Sequence, residues 1–194
     1  MRPGERLTDE ELASAATEGS EAHFNLLVDR HAQLVYRLAL GITGSTQDAE
    51  DVVQETFLRV LQNLDRFSPA KASFRTWLLT IARNQSINAY SSLKRRASRF
   101  FSRSRSEEQD HYADDNNSDP VQQDAETMLL QKQEYFLVEQ ALKDLPERQR
   151  TSLHLKAVEN LRYAEIAQIM NTSESSVESL IFRARQTLLE KLRE

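Results

Sequence analysis

The sequence predicts an all-α protein of two small helical domains joined by a flexible linker, the C-terminal domain ending in a helix-turn-helix. Three observations predict this fold class. Only four glycines and four prolines occur in 194 residues, so hairpin signals are few. Apolar residues recur at spacings of three and four along most of the chain, as on amphipathic helices. Near the middle, blocks of opposite charge adjoin each other, and such blocks rarely pack into a core.

The charge blocks set the predicted domain boundaries. Residues 94–105 carry only basic charges, and residues 107–126 carry only acidic ones. We therefore predict a flexible linker over residues 97–126. The N-terminal helical domain then covers residues 1–96, and the C-terminal domain covers residues 127–194.

The N-terminal domain is predicted to open with two helices. The capping-box pattern T-D-E-E at 8–11 begins a short helix that ends near Gly19. A second helix is predicted over residues 21–40, with Gly41 and Gly44 ending it. Its core-facing stripe consists of apolar residues and one histidine: Phe24, Leu27, Val28, His31, Val35 and Leu38.

The third helix, predicted over residues 47–64 and capped by Ser45 or Thr46, has two different faces. The apolar face comprises Ala49, Val52, Val53, Phe57, Val60, Leu61 and Leu64. The opposite stripe carries acids and amides around one leucine: Asp51, Gln54, Glu55, Leu58 and Gln62. Such a stripe is either an ordinary solvated face or a docking surface, and its composition alone leaves both interpretations open.

The fourth helix is predicted over residues 74–90, after a loop that contains Phe67 and Pro69. Its inward face is predicted to consist of Phe74, Trp77, Leu78 and Ile81. One outer stripe consists of Arg75, Leu79, Arg83, Ser86 and Tyr90. The neighbouring outer stripe consists of Thr76, Thr80 and Asn84. Basic and aromatic groups on one outer surface suit single-stranded nucleic acid, because bases stack and phosphates attract cations. A solvated basic face is the alternative.

The C-terminal domain contains the outline of a DNA-binding helix-turn-helix. A helix is predicted over residues 124–142, and another begins near Leu145-Pro146-Glu147. Two further helices, over 163–170 and 173–189, meet at a polar break, Asn171-Thr172-Ser173. The last helix carries Arg183 and Arg185 although its other residues recur at an apolar, helical spacing.

Composition argues against catalysis and export. The chain has no cysteine, and its four histidines are scattered, so we expect no catalytic residues, no metal site and no cofactor. We also expect no small-molecule substrate. No run approaches the roughly 18 apolar residues of a membrane span, and the first residues lack a signal-peptide core. A cytoplasmic protein without membrane insertion is expected.

Four stretches resemble the sigma factors of the extracytoplasmic-function (ECF) type, which belong to the sigma-70 family. They are D-A-E-D-V-V-Q-E-T-F-L-R-V at 48–60, F-R-T-W-L-L-T-I-A-R-N at 74–84, L-P-E-R-Q-R at 145–150, and Y-A-E-I-A to R-A-R at 163–185. The resemblance spans about 22–192, with the linker interrupting it. It implies a non-catalytic initiation subunit that binds core RNA polymerase, directs it to promoters and helps to open the DNA.

The resemblance also implies roles for residues of the N-terminal domain, corresponding to sigma region 2. The clamp helices of the largest polymerase subunit would be bound by Asp51, Gln54, Glu55, Leu58 and Gln62. The minus-10 promoter element would be bound and melted by Phe67, Arg75, Trp77, Arg83 and Asn84. Because Trp77 shares the inward stripe with Phe74, a purely structural role for it stays open.

In the C-terminal domain, corresponding to sigma region 4, the last helix would enter the major groove of the minus-35 element. The residues placed to face DNA are Ser175, Ser176, Glu178, Ser179, Phe182 and Arg183. Glu178 often corresponds to a basic residue in the family, although an acid can accept from a cytosine amino group. Burial between the two helices is the alternative for Phe182. The resemblance further implies an anti-sigma factor as a partner.

Two other functions are consistent with parts of the chain. A stand-alone helix-turn-helix regulator would bind duplex operators unaided through residues 145–192, with the first half of the chain as a sensor domain. A helical adaptor would use the acidic stripe of the third helix and would not bind DNA. Between residues 139 and 194 the acidic and basic side chains are equal in number, which predicts weak free binding to DNA and argues against the stand-alone regulator.

Overall fold

The structure is a computed structural model that describes residues 7–103 and 136–193, with side chains described over 7–92 and 136–193. All regular secondary structure in these two ranges is helical, which confirms the all-α prediction. The first domain contains α1 (Asp9–Thr17), α2 (Glu21–Thr43), α3 (Thr46–Asn63), a 3-10 turn (Leu64–Arg66) and α4 (Phe74–Arg103). The second contains α5 (136–143), α6 (Glu147–Ala157), α7 (Tyr163–Met170) and α8 (Glu174–Lys191).

Polar caps fix where several helices begin, as the sequence predicted. Thr8 and Glu11 form a reciprocal capping box at the start of α1. The Ser45 hydroxyl accepts a hydrogen bond from the Asp48 amide at 3.2 Å and so begins α3. Between α7 and α8, Asn171 adopts a left-handed conformation with φ 48°, which asparagine tolerates better than most residues.

The predicted end of α2 at Gly41 is wrong. The helix continues to Thr43, and Gly44, with φ 69°, terminates it in the left-handed conformation. A Cβ on Gly41 would lie only 2.6 Å from Nδ1 of His154 in α6. Because Gly41 has no side chain, the second domain can pack closely against α2 at this position. The role of Gly41 is therefore in packing rather than in helix termination.

Helix α4 is longer than predicted, because it passes residue 90 and continues to Arg103. It thus enters the stretch for which we predicted a linker. The rest of that stretch, 104–126, lies outside the described residues, as does the predicted start of the next helix, 124–135.

The two domains share one hydrophobic core. A single cluster of buried side chains includes Leu38, Phe74 and Leu78 of the first domain together with Leu155 and Ile166 of the second. Helix α2 packs against α6, and α4 packs against α7. The sequence predicted two domains but did not predict that they pack against each other.

This packing overturns part of the predicted surface. Leu79, Ser86 and Thr76, which we expected on the outer stripes of α4, are buried. Conversely, Leu61 was expected in the core of α3, yet it is 52% exposed. Amphipathic spacing on α4 distinguishes an apolar face from a polar one, but it does not reveal which face a second domain covers.

Candidate nucleic-acid interface

The polar stripe of α3 lies on the outside of the molecule. Asp51, Gln54, Leu58 and Gln62 are exposed, and Glu55 is partly so. Leu58 is 54% exposed, and Leu61 lies beside it one turn further along the same helix. The Glu55 carboxylate accepts a hydrogen bond from Arg59 Nε at 2.8 Å, which holds its position on the surface. The stripe therefore presents two leucines framed by polar groups, the composition of a docking surface.

A shallow groove of about 390 Å³ adjoins this stripe between α2 and α3. Its lining combines apolar, amide and carboxylate groups: Ala32, Gln33, Tyr36, Glu50, Val53 and Gln54. Gln54 belongs to both the groove and the stripe. The two features thus form one continuous surface.

Phe67 and Trp77 pack into an aromatic cluster with Phe74. The ring centroids of Phe67 and Phe74 are 5.5 Å apart at nearly right angles, and Trp77 lies 5.3 Å from Phe67 and 5.9 Å from Phe74. Such edge and tilted arrangements stabilise a core by about 0.5–1.5 kcal/mol per pair. Both Phe67 and Trp77 remain partly exposed. The cluster accounts structurally for the inward position of Trp77.

Arg75 and Arg83, the two arginines on the predicted DNA-melting stripe of α4, face the second domain. Arg75 Nη2 donates to the backbone carbonyl of Glu159 at 3.1 Å and lies 3.6 Å from its carboxylate. Arg83 Nη2 lies 3.7 Å from the Glu147 carboxylate. Asn84, on the neighbouring stripe, is exposed. The domain contact thus covers most of Arg83 and binds Arg75, whose side chain stays 39% exposed, and it leaves Asn84 exposed.

Glu159 is the centre of this contact. Its side chain is only 2% exposed, yet both carboxylate oxygens are bound: Arg37 Nε donates to one and Arg37 Nη2 to the other, each at 3.0 Å. This bidentate geometry is the strongest that a guanidinium and a carboxylate form. The hydrogen bond to Glu159 raises the pKa of Arg37 above its ordinary value. Sequence reasoning missed both residues, because neither lies in a periodic pattern or a motif.

Arg150 makes a second polar contact between the domains. Its Nη2 donates to the Ile42 carbonyl at 2.7 Å, and its guanidinium lies 5.1 Å from the centre of the Tyr90 ring. The Ile42 carbonyl belongs to the last turn of α2, where a cation is favourable. The sequence placed Arg150 in the L-P-E-R-Q-R motif but gave no indication of this partner.

Several polar atoms in the contact region are incompletely satisfied. Arg83 Nε, Arg150 Nε and His154 Nε2 are buried, and none has a hydrogen-bond partner among the described residues. Burial lowers the pKa of Arg83, with Glu147 opposing the shift, and burial likewise lowers the pKa of His154. Each unsatisfied atom costs about 1–3 kcal/mol. The contact is therefore well defined in geometry but not optimised in energy.

In contrast, the predicted DNA-facing residues of α8 point outward. Ser175, Glu178, Ser179 and Arg183 are exposed, and Ser176 is partly buried. Phe182 is 62% exposed, so the alternative interpretation, in which it is buried between the two helices, is wrong. The six residues thus lie on the side of α8 that faces away from the core.

Helix α8 is anchored by its opposite face. Val177, Ile181 and Ala184 are buried at spacings of four and three, against a helix α7 whose Ile166 and Met170 are also buried. The Ser173 hydroxyl accepts from the Ser176 amide at 3.2 Å and fixes the start of the helix. A rigid support of this kind is what a recognition helix needs in order to present side chains to a groove.

Residues 7–103 and 136–193 contain neither a metal-binding cluster nor a membrane-spanning helix. No three His, Cys, Asp or Glu side chains come together there in a way that would hold a metal ion. No helix in these ranges has the length and apolarity to span a bilayer.

Comparison with known proteins extends over both domains. Residues 27–96 match the family described as Sigma-70 region 2, and residues 135–188 match Sigma-70, region 4. A relative from Haemophilus influenzae, an ECF RNA polymerase sigma-E factor, is 32% identical over 97% of each chain. An RNA polymerase sigma-H factor from Pseudomonas aeruginosa is 31% identical, with 93% of this chain and 91% of the relative aligned.

Solved structures agree with this relationship. CnrH, in complex with the cytosolic domain of CnrY, is 27% identical to this chain with a TM-score of 0.67, over 95% of this chain and 97% of CnrH. The sigma factor RpoE of Bartonella quintana, in complex with the anti-sigma factor NepR, is 22% identical and has a TM-score of 0.61. The alignment covers 88% of this chain and 96% of RpoE, and it shows a shared fold.

Proposed function

This chain belongs to the ECF sigma factors of the sigma-70 family, and on that premise we propose that it is a non-catalytic subunit that guides core RNA polymerase to promoters. The observation that carries the proposal is the surface of α3. There Leu58 and its polar neighbours are exposed at the positions that match the family's polymerase-binding helix. The polymerase would perform all of the chemistry.

In this proposal the α3 stripe docks on the clamp helices of the largest polymerase subunit. Leu58 is the apolar anchor, and Asp51, Gln54, Glu55 and Gln62 form the polar rim around it. An exposed apolar side chain within a polar rim is the usual anatomy of a hot spot. The adjoining groove between α2 and α3 extends the surface that a partner helix can cover.

The α8 stripe in turn docks in the major groove at the minus-35 element. Arg183 contacts a phosphate or a guanine edge, and Glu178 accepts from a cytosine amino group. Ser175, Ser176, Ser179 and Phe182 fill the rest of the exposed surface. The exposure of this stripe in the packed molecule supports the assignment.

Helix α4 contributes the minus-10 contacts. Arg75 and Arg83 bind phosphates of the opened strand, Asn84 contacts a base, and Phe67 and Trp77 support the base-binding surface. The match of residues 27–96 to region 2 supports this role. In the packed molecule the second domain binds Arg75 through Glu159 and covers most of Arg83, so the full set of phosphate contacts requires the domains to separate.

An anti-sigma factor is the proposed regulatory partner in the cytoplasm. Support comes from RpoE of B. quintana, which was captured with NepR, and from CnrH, which was captured with a domain of CnrY. Isolation of the chain from its native host tests the point. A stoichiometric protein that prevents binding to core polymerase is the expected companion.

The main test is reconstituted transcription. Purified chain and bacterial core polymerase are incubated with genomic DNA, and the run-off transcripts are sequenced. Discrete start sites sharing upstream elements are expected, and their complete absence would contradict the proposal.

A pair of leucine variants locates the polymerase contact. Leu58→Asp is expected to weaken binding to core polymerase by about 2 kcal/mol or more, as at a hot spot. Leu26→Asp changes an equally accessible leucine on α2, outside the stripe, and is expected to bind normally. Equal losses in both variants would point to a general effect rather than to docking through α3.

The stand-alone regulator is not favoured by these observations. Membership in the sigma-70 family accounts for both domains, including the match of residues 27–96 to region 2, whereas the regulator would use the first half only as a sensor domain. The equal numbers of acidic and basic side chains in residues 139–194 also leave little attraction for duplex DNA on their own.

A further inference from the structure

The covered stripe of α4 is held by carboxylates. Arg75 contacts both the backbone and the side chain of Glu159, and Arg83 faces Glu147. Under the proposed function, these same guanidinium groups bind phosphates of the promoter strand. Guanidinium groups bind carboxylates and phosphates through the same planar fork of donors. The second domain therefore supplies anionic groups at the place where DNA would supply them.

Glu159 is held at this place by more than Arg75. Arg37 of α2 binds both of its oxygens, so the carboxylate is fixed between two helices of the first domain. Glu159 lies in the loop between α6 and α7, next to Asn160, whose φ of 51° is unusual for a residue other than glycine. This loop places the carboxylate directly at the domain boundary.

The contact is also suited to release. Three of its polar atoms, on Arg83, Arg150 and His154, are buried without a hydrogen-bond partner within the described ranges, although His154 Nε2 lies 3.8 Å from the Glu159 carboxylate. Separation of the domains would return those atoms to water and remove their unfavourable contribution.

We propose that Glu159 and Glu147 act as intramolecular substitutes for promoter phosphates, so that the free factor is closed and its DNA-melting helix is occupied until the domains part. This inference rests on the proposed role of α4. Arg37 acts as the latch: it holds Glu159 in place but belongs to neither the polymerase-binding stripe nor the DNA-binding stripes. DNA binding by the free factor is therefore reduced by the fraction of molecules that are closed.

Arg37→Ala separates this mechanism from a simple charge effect. Removal of one positive charge lowers non-specific affinity for nucleic acid. Removal of the latch opens the domains and raises that affinity, so the two effects have opposite signs. The matched control is Arg30→Ala on the same helix, because Arg30 pairs with Asp9 inside the first domain. Glu159→Gln, which preserves side-chain shape, opens the latch from the other side.

The chain contains no cysteine, so two introduced cysteines give unique labelling sites. Spin labels at Asn25→Cys and Glu190→Cys, both exposed, report the distance between the domains by pulsed electron paramagnetic resonance. A narrow distance distribution is expected for the otherwise unchanged chain and for Arg30→Ala. A broad one is expected for Arg37→Ala and Glu159→Gln. Circular dichroism checks that each variant is folded.

Binding of a short fluorescent oligo(dT) strand to the full-length free factor is measured by anisotropy. Arg37→Ala and Glu159→Gln are expected to raise the apparent affinity about tenfold, whereas Arg30→Ala lowers it slightly. The inference is overturned if the distances stay narrow in both latch variants, or if Arg37→Ala binds no more tightly than Arg30→Ala. Run-off transcription by the wild-type chain tests the proposed function separately, because that assay does not depend on the latch.

Discussion

Two helices of this protein, α4 and α8, were predicted to contact DNA, and their predicted DNA-facing residues have different environments in the structure. The stripe on α8 is exposed, and its polar side chains are available to an outside partner. The arginines on α4 are directed at the second domain and paired with its carboxylates. A polar stripe identifies a face that is able to bind anions, but the same stripe serves equally well for a nucleic acid or for another domain.

The environment of the arginines follows from this difference. Arg83 is partly buried, and burial lowers its pKa, whereas Arg183 lies exposed on the surface of α8. A buried guanidinium interacts strongly with its neighbours, while an exposed one is screened by salt. Arg83 therefore interacts within the molecule, whereas the exposed Arg183 is free to interact with an outside partner.

The largest effect expected from this comparison is on stability. Leu79→Ala removes a fully buried side chain from the covered stripe and is expected to lower the free energy of unfolding by about 2–5 kcal/mol. Leu189→Ala removes an exposed leucine from α8 and is expected to change it by less than about 0.5 kcal/mol. Urea denaturation measures both, and similar losses would mean that the stripe on α4 is not covered.

DNA binding through α8 provides the next test. Arg183→Ala is expected to weaken promoter binding by the polymerase complex by about 1–3 kcal/mol, because it removes one base or phosphate contact. Arg162→Ala is the control, since Arg162 is 85% exposed at the start of α7 and belongs to none of the predicted DNA-binding stripes. Electrophoretic mobility shift with a promoter from the run-off experiment gives the affinities. An equal loss in both variants would assign the effect to charge alone.

A smaller effect with two opposite components is expected at Gly41. Alanine favours a helix over glycine by about 1 kcal/mol, so Gly41→Ala should stabilise α2 itself. Its Cβ, however, would lie 2.6 Å from His154 Nδ1 and push the second domain away. Small-angle scattering should show a larger radius of gyration although the helical circular dichroism is retained. An unchanged radius would show that the domains do not need this glycine.

The smallest expected effect is a pH dependence of the closed arrangement. Burial lowers the pKa of His154, so the separated domains take up a proton more readily than the packed ones, although Glu159 opposes this and Arg37 reinforces it. The closed form is therefore fully stable above the ordinary histidine pKa of about 6.5 and loses stability as the pH falls below it.

The spin-label distance, followed as the pH is lowered, measures this effect. His154→Asn should abolish most of the change. Binding through α8 should not share it, because the helix Glu174–Lys191 contains no histidine. A pH response that persists in His154→Asn would assign the titration to another group.

Much of the fold was predictable because it depends on near neighbours. The capping box at Thr8, the Ser45 cap and the turn at Asn171 each involve residues within four positions of one another. The buried residues of α8, Val177, Ile181 and Ala184, likewise follow the helical spacing of near neighbours. Interactions of this range are encoded in patterns that a single sequence displays.

The sequence by itself determined the helices, their caps, the exposed stripes of α3 and α8, and the family to which the chain belongs. Only the tertiary structure decided that α4 is covered, that Gly41 admits His154, and that Glu159 is bound by Arg37 and Arg75. The physical reason is the distance along the chain between the interacting residues. Arg37 and Glu159, for example, are separated by 122 residues. An ion pair between such distant residues leaves no periodic signal, because it depends on how two finished domains pack.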